Sequence, residues 1–301
     1  MTTKPPRISI VTPSFNQGQF LDDTMHSVLG QDYPDLEYVV MDGGSTDNST
    51  AVIERHASRL THWTSGKDQG HYDAIVKGFA HTSGEIMAWI NSDDKYTPWA
   101  FSVVSEIFAA HPEVQWLTTA FPLNWDRHGR AVSCAYLGGF NHRTFLAGAN
   151  LPRGRWHVGS FIQQESTFWR RSLWERAGAT IDNGSIAGDF ELWSRFFKHA
   201  ALHTVSVPLA GFRVHGNQVS IQREQEYLDA CEAILQRHGG ARAGTARRLL
   251  RTVLYQGFGG RALHKLPRPM SRLLVAAGLL HVAPLCRWQS ERWQLLDNYI
   301  F

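Results

Sequence analysis

Four apolar runs, each ending in a short polar turn and each followed by apolar residues at helical spacing, constrain the fold of this chain more than any other feature. Arg7 to Val11 leads into Thr12-Pro13-Ser14-Phe15-Asn16, after which Phe20, Leu21, Met25, Val28 and Leu29 recur on one helical face. Leu36 to Met41 leads into Asp42-Gly43-Gly44-Ser45-Thr46-Asp47. The glycines there allow a tight turn, and Ser45 or Thr46 can cap a helix through Ala51, Val52 and Ile53. Leu60 to Ser65 leads into Lys67-Asp68-Gln69-Gly70 and a helix carrying Ala74, Ile75, Phe79 and Ala80. Glu85 to Asn91 ends in Ser92-Asp93-Asp94, and Phe101, Val104, Ile107 and Phe108 mark the next helix before strand-like Val114 to Phe121. Successive strand–turn–helix units predict an α/β fold, a mostly parallel central sheet flanked by helices. The four polar turns then share the rim at the carboxyl ends of the strands, where open α/β sheets bind ligands.

The pair Asp93-Asp94 is the sharpest chemical feature on that rim. Adjacent carboxylates repel, and hydrogen-bond donors, a cation or a metal ion commonly balance them. Oxygen ligands suit Mg²⁺ or Mn²⁺, ions that often bridge protein carboxylates to substrate phosphates. The plainer alternative is a solvated turn before a helix capped at Thr97. No GxGxxG follows the first strand and no GxxxxGK[ST] occurs, so neither the dinucleotide fingerprint nor the P-loop applies.

Composition narrows the class. With 43% hydrophobic and 19% charged residues in 301, the chain has ample core for one large domain, or one domain and an appendage. A net charge of +3 without a concentrated basic patch argues against a nucleic-acid partner. Cys134, Cys231 and Cys286 are odd in number and lack CxxC spacing, which fits a reducing cytoplasm and neither zinc nor a disulfide framework. No apolar run of about eighteen residues is present to span a membrane, and strand-like Ile8 to Val11 stands where a signal-peptide core would lie. The expected location is the cytoplasm, with contact at the inner face of the membrane as an extension of it.

The order of motifs resembles glycosyltransferase family 2. Thr12 to Asn16, Ser27 to Pro34 and Glu37 to Asp47 look like that family's opening. Asp68-Gln69-Gly70, Tyr72-Asp73-Ala74, Lys77-Gly78, Gly84-Glu85-Ile86 and Asn91 to Asp94 continue it. Gln164 to Arg171, Ala187 to Trp193 and Phe212 to His215 complete it, so the likeness covers roughly residues 7 to 220. The resemblance implies a GT-A fold, Rossmann-like, and inverting transfer of a sugar from a nucleotide-diphosphate donor with Mn²⁺ or Mg²⁺. A UDP-sugar is the favoured donor and a hydroxyl of a glycan or lipid-linked saccharide the acceptor, in bacterial surface polysaccharide synthesis. The implied organisation is a catalytic domain over 1–220, with a nucleotide-sugar half over 1–122 and an acceptor half over 123–220, followed by a helical extension over 221–301.

Carried onto this chain, the resemblance assigns the metal to Asp93 and Asp94 jointly, because Asn91 stands at the first acidic position of the common motif. His215 falls where a further ligand is often found. Thr12, Pro13, Ser14 and Phe15, with Asp42, Asp68, Ser92 and Asp93, fall at nucleotide-binding positions. Capping a turn is the plainer duty for Asp42 and Asp68. His71 and Val76 depart from the family pattern between these motifs. Single displacement with inversion needs a carboxylate on the face opposite the leaving group. Asp189 matches that position, with Gly188 where relatives often carry another acid. Glu165 and Trp193 are assigned to the acceptor pocket, a core role for Trp193 being the alternative.

Residues 124–163 interleave Trp125, Tyr136, Phe140, Phe145, Trp156 and Phe161 with Arg127, Arg130, Arg143, Arg153 and Arg155, a composition suited to an acceptor wall. After residue 220, Tyr227, Leu228, Cys231, Ile234 and Leu235 mark one face of a helix. Arg247, Arg248, Arg251 and Arg261 lie among apolar residues, and apolar Leu273 to Leu285 is flanked by Arg272, Arg287, Trp288, Arg292 and Trp293. Packing of these helices on the catalytic domain or on a second copy is favoured, with a membrane surface as the alternative. Two rival functions remain. A sugar nucleotidyltransferase would carry a basic Gly-rich loop near its start, and Thr12 to Gly18 has no basic residue. A non-catalytic sugar-nucleotide scaffold would not need Asp42, Asp93, Asp94 and Asp189 together.

Overall fold

The run Ile8–Ser14 forms β1 and is buried at every position, as a strand covered on both faces must be. In the computed structural model, which describes residues 5–151, 161–216, 218–241 and 267–300, β1 belongs to a nine-stranded sheet. The chain continues through α1 (Gly18–Leu29), β2 (Leu36–Asp42), α2 (Ser49–His56), β3 (His62–Ser65), α3 (His71–Phe79) and β4 (Ile86–Trp89). β1 pairs in parallel with β2 and β4, and β2 with β3. The register sets Ser14 opposite Asp42 and Asp42 opposite Ser65. The polar turns therefore leave one rim side by side, as the alternation of strand and helix requires.

Beyond β4 come β5 (Lys95–Tyr96), α4 (Ala100–Ala110), β6 (Trp116–Thr119), β7 (Leu123–Trp125), β8 (Ala131–Cys134) and α5 (His142–Leu146). They are followed by β9 (Phe168–Arg170), α6 (Arg171–Arg176), α7 (Gly188–Phe196), β10 (His203–Val205) and β11 (Ala210–Arg213). β9 lies between β4 and β6, antiparallel to both, and β10 runs parallel to β6. Five of the eight neighbour pairs in the large sheet are parallel. A second sheet has the order β5-β11-β7-β8, and its β11 reaches the turn after β4 through the Arg213 N–H on Asp94.

The core centres on Trp89, Trp116, Trp169 and Trp193, none more than 1% exposed. Trp193 stacks on Trp89 at 5.9 Å and meets Trp116 at 5.6 Å. With no exposed surface, the Trp193 indole packs the layers together, the core role that was the alternative to a place in the acceptor pocket.

The C-terminal part also departs from the expected all-helical extension. α8 (Val219–Gln222) and α9 (Glu224–Arg237) are helices, and α9 buries Tyr227, Cys231, Ile234 and Leu235. A further helix spans Arg268–Ala276, but β12 (His281–Gln289) and β13 (Arg292–Ile300) then form a hairpin. β12 joins β10 in parallel, so the hairpin extends the central sheet. Leu285 and Cys286 are buried at that seam, and Trp293 donates to Glu106 at 2.8 Å. Arg153, Arg155 and Trp156 of the expected acceptor wall, and Arg247, Arg248, Arg251 and Arg261, lie outside the described residues. Among the described residues no helix is long and apolar enough to cross a membrane.

Trp169 touches the rings of Phe79, Trp89, Trp174, Trp193 and Phe196. Trp169→Ala is expected to lower stability by about 3–5 kcal/mol, the range for emptying a large aromatic site. Urea denaturation with an unchanged m-value checks it.

Candidate active site

The turn after β4 is held from below. Asp94 is fully buried; its Oδ1 accepts the backbone N–H of Arg213 at 2.8 Å and its Oδ2 the Asn91 amide at 3.2 Å. Thr24 Oγ1 lies 2.9 Å from the carbonyl of Ser92 and 2.7 Å from that of Asp94. β5 pairs with β11 antiparallel, which carries Arg213 and then His215 past the acidic turn. The Arg213 side chain, 2% exposed, bonds Asp23 at 2.6 Å and also donates to the Asp93 carbonyl. Its guanidinium lies over the Phe20 ring, and Phe20 packs against His215 at 4.6 Å. The result is that His215 Nε2 stands 3.0 Å from Asp93 Oδ2.

Asp93 and His215 are thus brought together, while Asp94 lies beneath them with both carboxylate oxygens engaged. Burial pushes the Asp94 carboxyl well above the usual carboxylate range, and the nearby Asp93 and Glu165 carboxylates add to the shift. Another group of ligand-type atoms, on Asp22, His26 and His56, falls within 4.8 Å. There the Asp22 carboxylate already serves His56 at 2.8 Å and Arg55 at 3.2 Å.

The ends of β1 to β3 build a second zone. Phe15 is 61% exposed. Gly43 runs so close that an added Cβ would meet Asp68 Oδ2 at 3.0 Å and the Phe15 ring at 3.4 Å. Asp68 holds its own turn through the Gly70 N–H at 2.8 Å. An exposed aromatic face, a glycine backbone edge and a carboxylate oxygen therefore share one small space. The other expected nucleotide contacts sit deeper. Thr12 is fully buried beside the Tyr38 hydroxyl, and Pro13 is buried too. Ser92 is 5% exposed, and Ser14 Oγ is buried without a partner. Asp42, 2% exposed, accepts the N–H groups of Gly44 and Ser45 and the hydroxyls of Ser45 and Ser65. It shapes the Gly43–Ser45 turn that Phe15 faces.

The third zone surrounds Asp189, in the first turn of α7 and 7% exposed. The Tyr227 hydroxyl of α9 lies 2.8 Å and 2.9 Å from its two carboxylate oxygens. The Tyr72 hydroxyl is 3.4 Å from Oδ1 and accepts the Asp189 backbone N–H at 3.3 Å. Burial raises the Asp189 carboxyl above the ordinary carboxylate range, and the Tyr227 hydrogen bond opposes that rise. Glu165 stands in a single 3₁₀ turn and is 3% exposed. Burial pushes its carboxyl up to about 8, with charge on Asp93 and Asp189 adding to the shift. Its Oε1 is buried without a hydrogen-bond partner.

The sequence places Arg213 and Tyr72 within motifs without marking a task for them, and marks Tyr227 only as part of an apolar helix face. The available signal for Arg213 was a lone cation beside the histidine in a strand-like Ala-Gly-Phe-Arg run. Nothing local marked the tyrosines, whose partner lies 117 and 38 positions away.

Comparison with known proteins agrees with this architecture. The sequence profile of "Glycosyl transferase family 2" matches residues 9–170. An uncharacterized glycosyltransferase of Mycobacterium tuberculosis is 36% identical over 204 residues, 66% of this chain and 71% of the relative. The mannosyltransferase PcManGT of Pyrobaculum calidifontis, solved with GDP-Man and Mn²⁺, superposes with a TM-score of 0.58 at 18% identity. That alignment covers 92% of this chain and 80% of the other. TarS of S. aureus, residues 1–349 with UDP-GlcNAc, gives a TM-score of 0.57 at 13% identity, over 84% of this chain and 73% of the other. Against a longer TarS structure the match spans 43% of that chain. With the profile covering more than half its length and a relative above 30% identity matched over 71% of its own length, this chain belongs to glycosyltransferase family 2 and is a glycosyltransferase.

Proposed function

We propose that the protein transfers a sugar from a nucleotide-diphosphate donor, a UDP-sugar in the first instance, to a saccharide hydroxyl with inversion at the anomeric carbon. The observation that carries this reading is the Asp93–His215 contact at 3.0 Å on the carboxyl rim, with a separate buried carboxylate at Asp189. The donors bound by PcManGT and TarS, GDP-Man and UDP-GlcNAc, support a nucleotide-sugar. Phe15 offers its exposed face to the base, and the Gly43 backbone and Asp68 offer it an edge. The nucleotide half is 1–122 and the acceptor half 123–220.

A divalent ion fits the donor set. One carboxylate oxygen and one imidazole nitrogen form a mixed pair compatible with Mn²⁺ and tolerable for Mg²⁺. Asp93 and His215 would hold the ion, and Asp94, with its oxygens engaged, would orient that turn from behind. When bound, the ion supplies positive charge against the departing diphosphate.

The remaining chemistry belongs to the chain. The acceptor oxygen attacks the anomeric carbon from the face away from the diphosphate. Its proton passes to a carboxylate oxygen of Asp189. The bond from the anomeric carbon to the phosphate oxygen breaks, and the nucleoside diphosphate leaves with that electron pair. Burial favours the neutral form of Glu165, which limits the negative charge gathered near Asp93 and Asp189.

Three outcomes test the reading. Asp189→Asn is expected to lower kcat by about 10²–10⁴, the span for loss of a general base, while UDP or GDP still raises the melting temperature; full turnover would end the base assignment. Asp93→Ala and His215→Ala should each abolish the Mn²⁺-dependent part of that melting shift, and a shift still sensitive to chelator would contradict the ligand assignment. The base works as its carboxylate, and its folded pKa is raised. Activity should therefore fall, as pH is lowered, through a midpoint above the ordinary Asp value of about 3.9. A pH profile of kcat/KM with its acid limb at or below that value would contradict the Asp189 assignment.

A further inference from the structure

The carboxylate of Asp189 is nearly closed off, and the group closing it comes from far along the chain. Tyr227 is 7% exposed and reaches Asp189 from α9, beyond the segment 9–170 that matches the family profile. Its hydroxyl is nearly equidistant from the two carboxylate oxygens, 2.8 Å and 2.9 Å. A hydroxyl seated in that notch fixes both the position and the plane of the carboxylate. Its ring is itself held, with Phe161 at 6.2 Å and α9 packed along α7.

The chemistry of the partner matters as much as its place. A buried carboxylate needs a donor if it is to stay ionised. A guanidinium there would supply one, but its full charge would make the carboxylate a poor proton acceptor. A phenol supplies a donor without charge, and burial together with Asp189 keeps the Tyr227 hydroxyl protonated well beyond its ordinary range. The other titratable groups facing Asp189 are Tyr72 of α3, Cys231 of α9 and Glu165 of the 3₁₀ turn. Tyr72 stands farther off, at 3.4 Å, and already donates within reach of the Ile186 carbonyl at 3.2 Å.

We infer that Tyr227 is a positioning residue for the transfer reaction, orienting the Asp189 carboxylate and holding it ionised through a neutral hydrogen bond. The inference rests on Asp189 being the general base. It assigns a task in the reaction to the C-terminal part of the chain, and it makes the docking of α9 a condition of full activity.

The test reads the carboxylate directly. Protein carrying ¹³C at the aspartate carboxyl carbons is titrated in Mg²⁺, and the resonance missing from Asp189→Asn identifies Asp189. In Tyr227→Phe the ring stays and the donor goes, so the charged form loses support. The titration midpoint is expected to move up by about one pH unit, the size of one hydrogen bond to a charged group. Release of UDP from a UDP-sugar should fall by up to about tenfold at pH below the wild-type midpoint and recover toward wild type as pH rises above the variant's midpoint, with KM for the donor unchanged. A midpoint that stays in place, or a rate loss equal at every pH, would overturn the inference and leave Tyr227 as packing alone. If Tyr227→Phe does not fold, 3-fluorotyrosine placed at position 227 keeps the shape with a more acidic hydroxyl. The midpoint should then move down, and an unmoved midpoint again overturns the inference. Full turnover in Asp189→Asn would instead sink the base reading, and the titration would still report whether the Tyr227 bond exists.

Discussion

The backbone N–H of Arg213 on the buried carboxylate of Asp94 is the contact on which the site depends. An ionisable group with no exposed surface is tolerated only where donors meet it. Here the donor is main chain, delivered by a strand pairing between Lys95–Tyr96 and Ala210–Gly211. Satisfying Asp94 therefore fixes β11, and fixing β11 places the next residues, Val214 and His215, beside Asp93. The Arg213 side chain then ties Asp23 of α1 into the same point. One buried acid thus locks together a helix, a turn and a strand from three distant parts of the chain.

Carboxyl groups around this cleft have the same chemistry and different surroundings, and the surroundings separate their tasks. Asp93, with 15% of its side chain exposed, meets an imidazole. Asp94 is inward and bonded to an amide. Asp189 is nearly buried but has a phenol in contact, whereas Glu165 is buried with one oxygen unpartnered. Depth and donor supply, not residue type, distinguish these four acids.

Much of this was legible in the residues, for reasons that are local. β1 to β4 are apolar runs closed by turn-forming residues, so their periodicity and their ends could both be read, and parallel order followed from alternation with helices. Asp93, His215 and Asp189 stood in ordered motifs. What could not be read is what depends on partners distant in the chain. Trp193 looks the same whether it faces a sugar or Trp89. Glu165 gives no sign that it will be buried. The terminal hairpin was missed because its turn is Ser290-Glu291, both at positive φ, a conformation usually announced by Asn-Gly or Asp-Gly. Pro284 within β12 also disguised the strand, since proline seldom sits inside a sheet.

That hairpin bears on the order of events when the polypeptide is made. Thr204 on β10 has its parallel neighbour at Leu285, so one flank of β10 is an open template while the intervening residues are still being synthesised. Parallel pairings between distant segments form late, because loop closure precedes their reward. The half of the sheet built from β1 to β4 has no such wait. Synthesis should therefore pass through a species whose donor-side rim is complete while an unpaired strand edge lies exposed at the other flank. Edges of that kind are where chains meet the wrong partner, and chaperone demand during production would concentrate there.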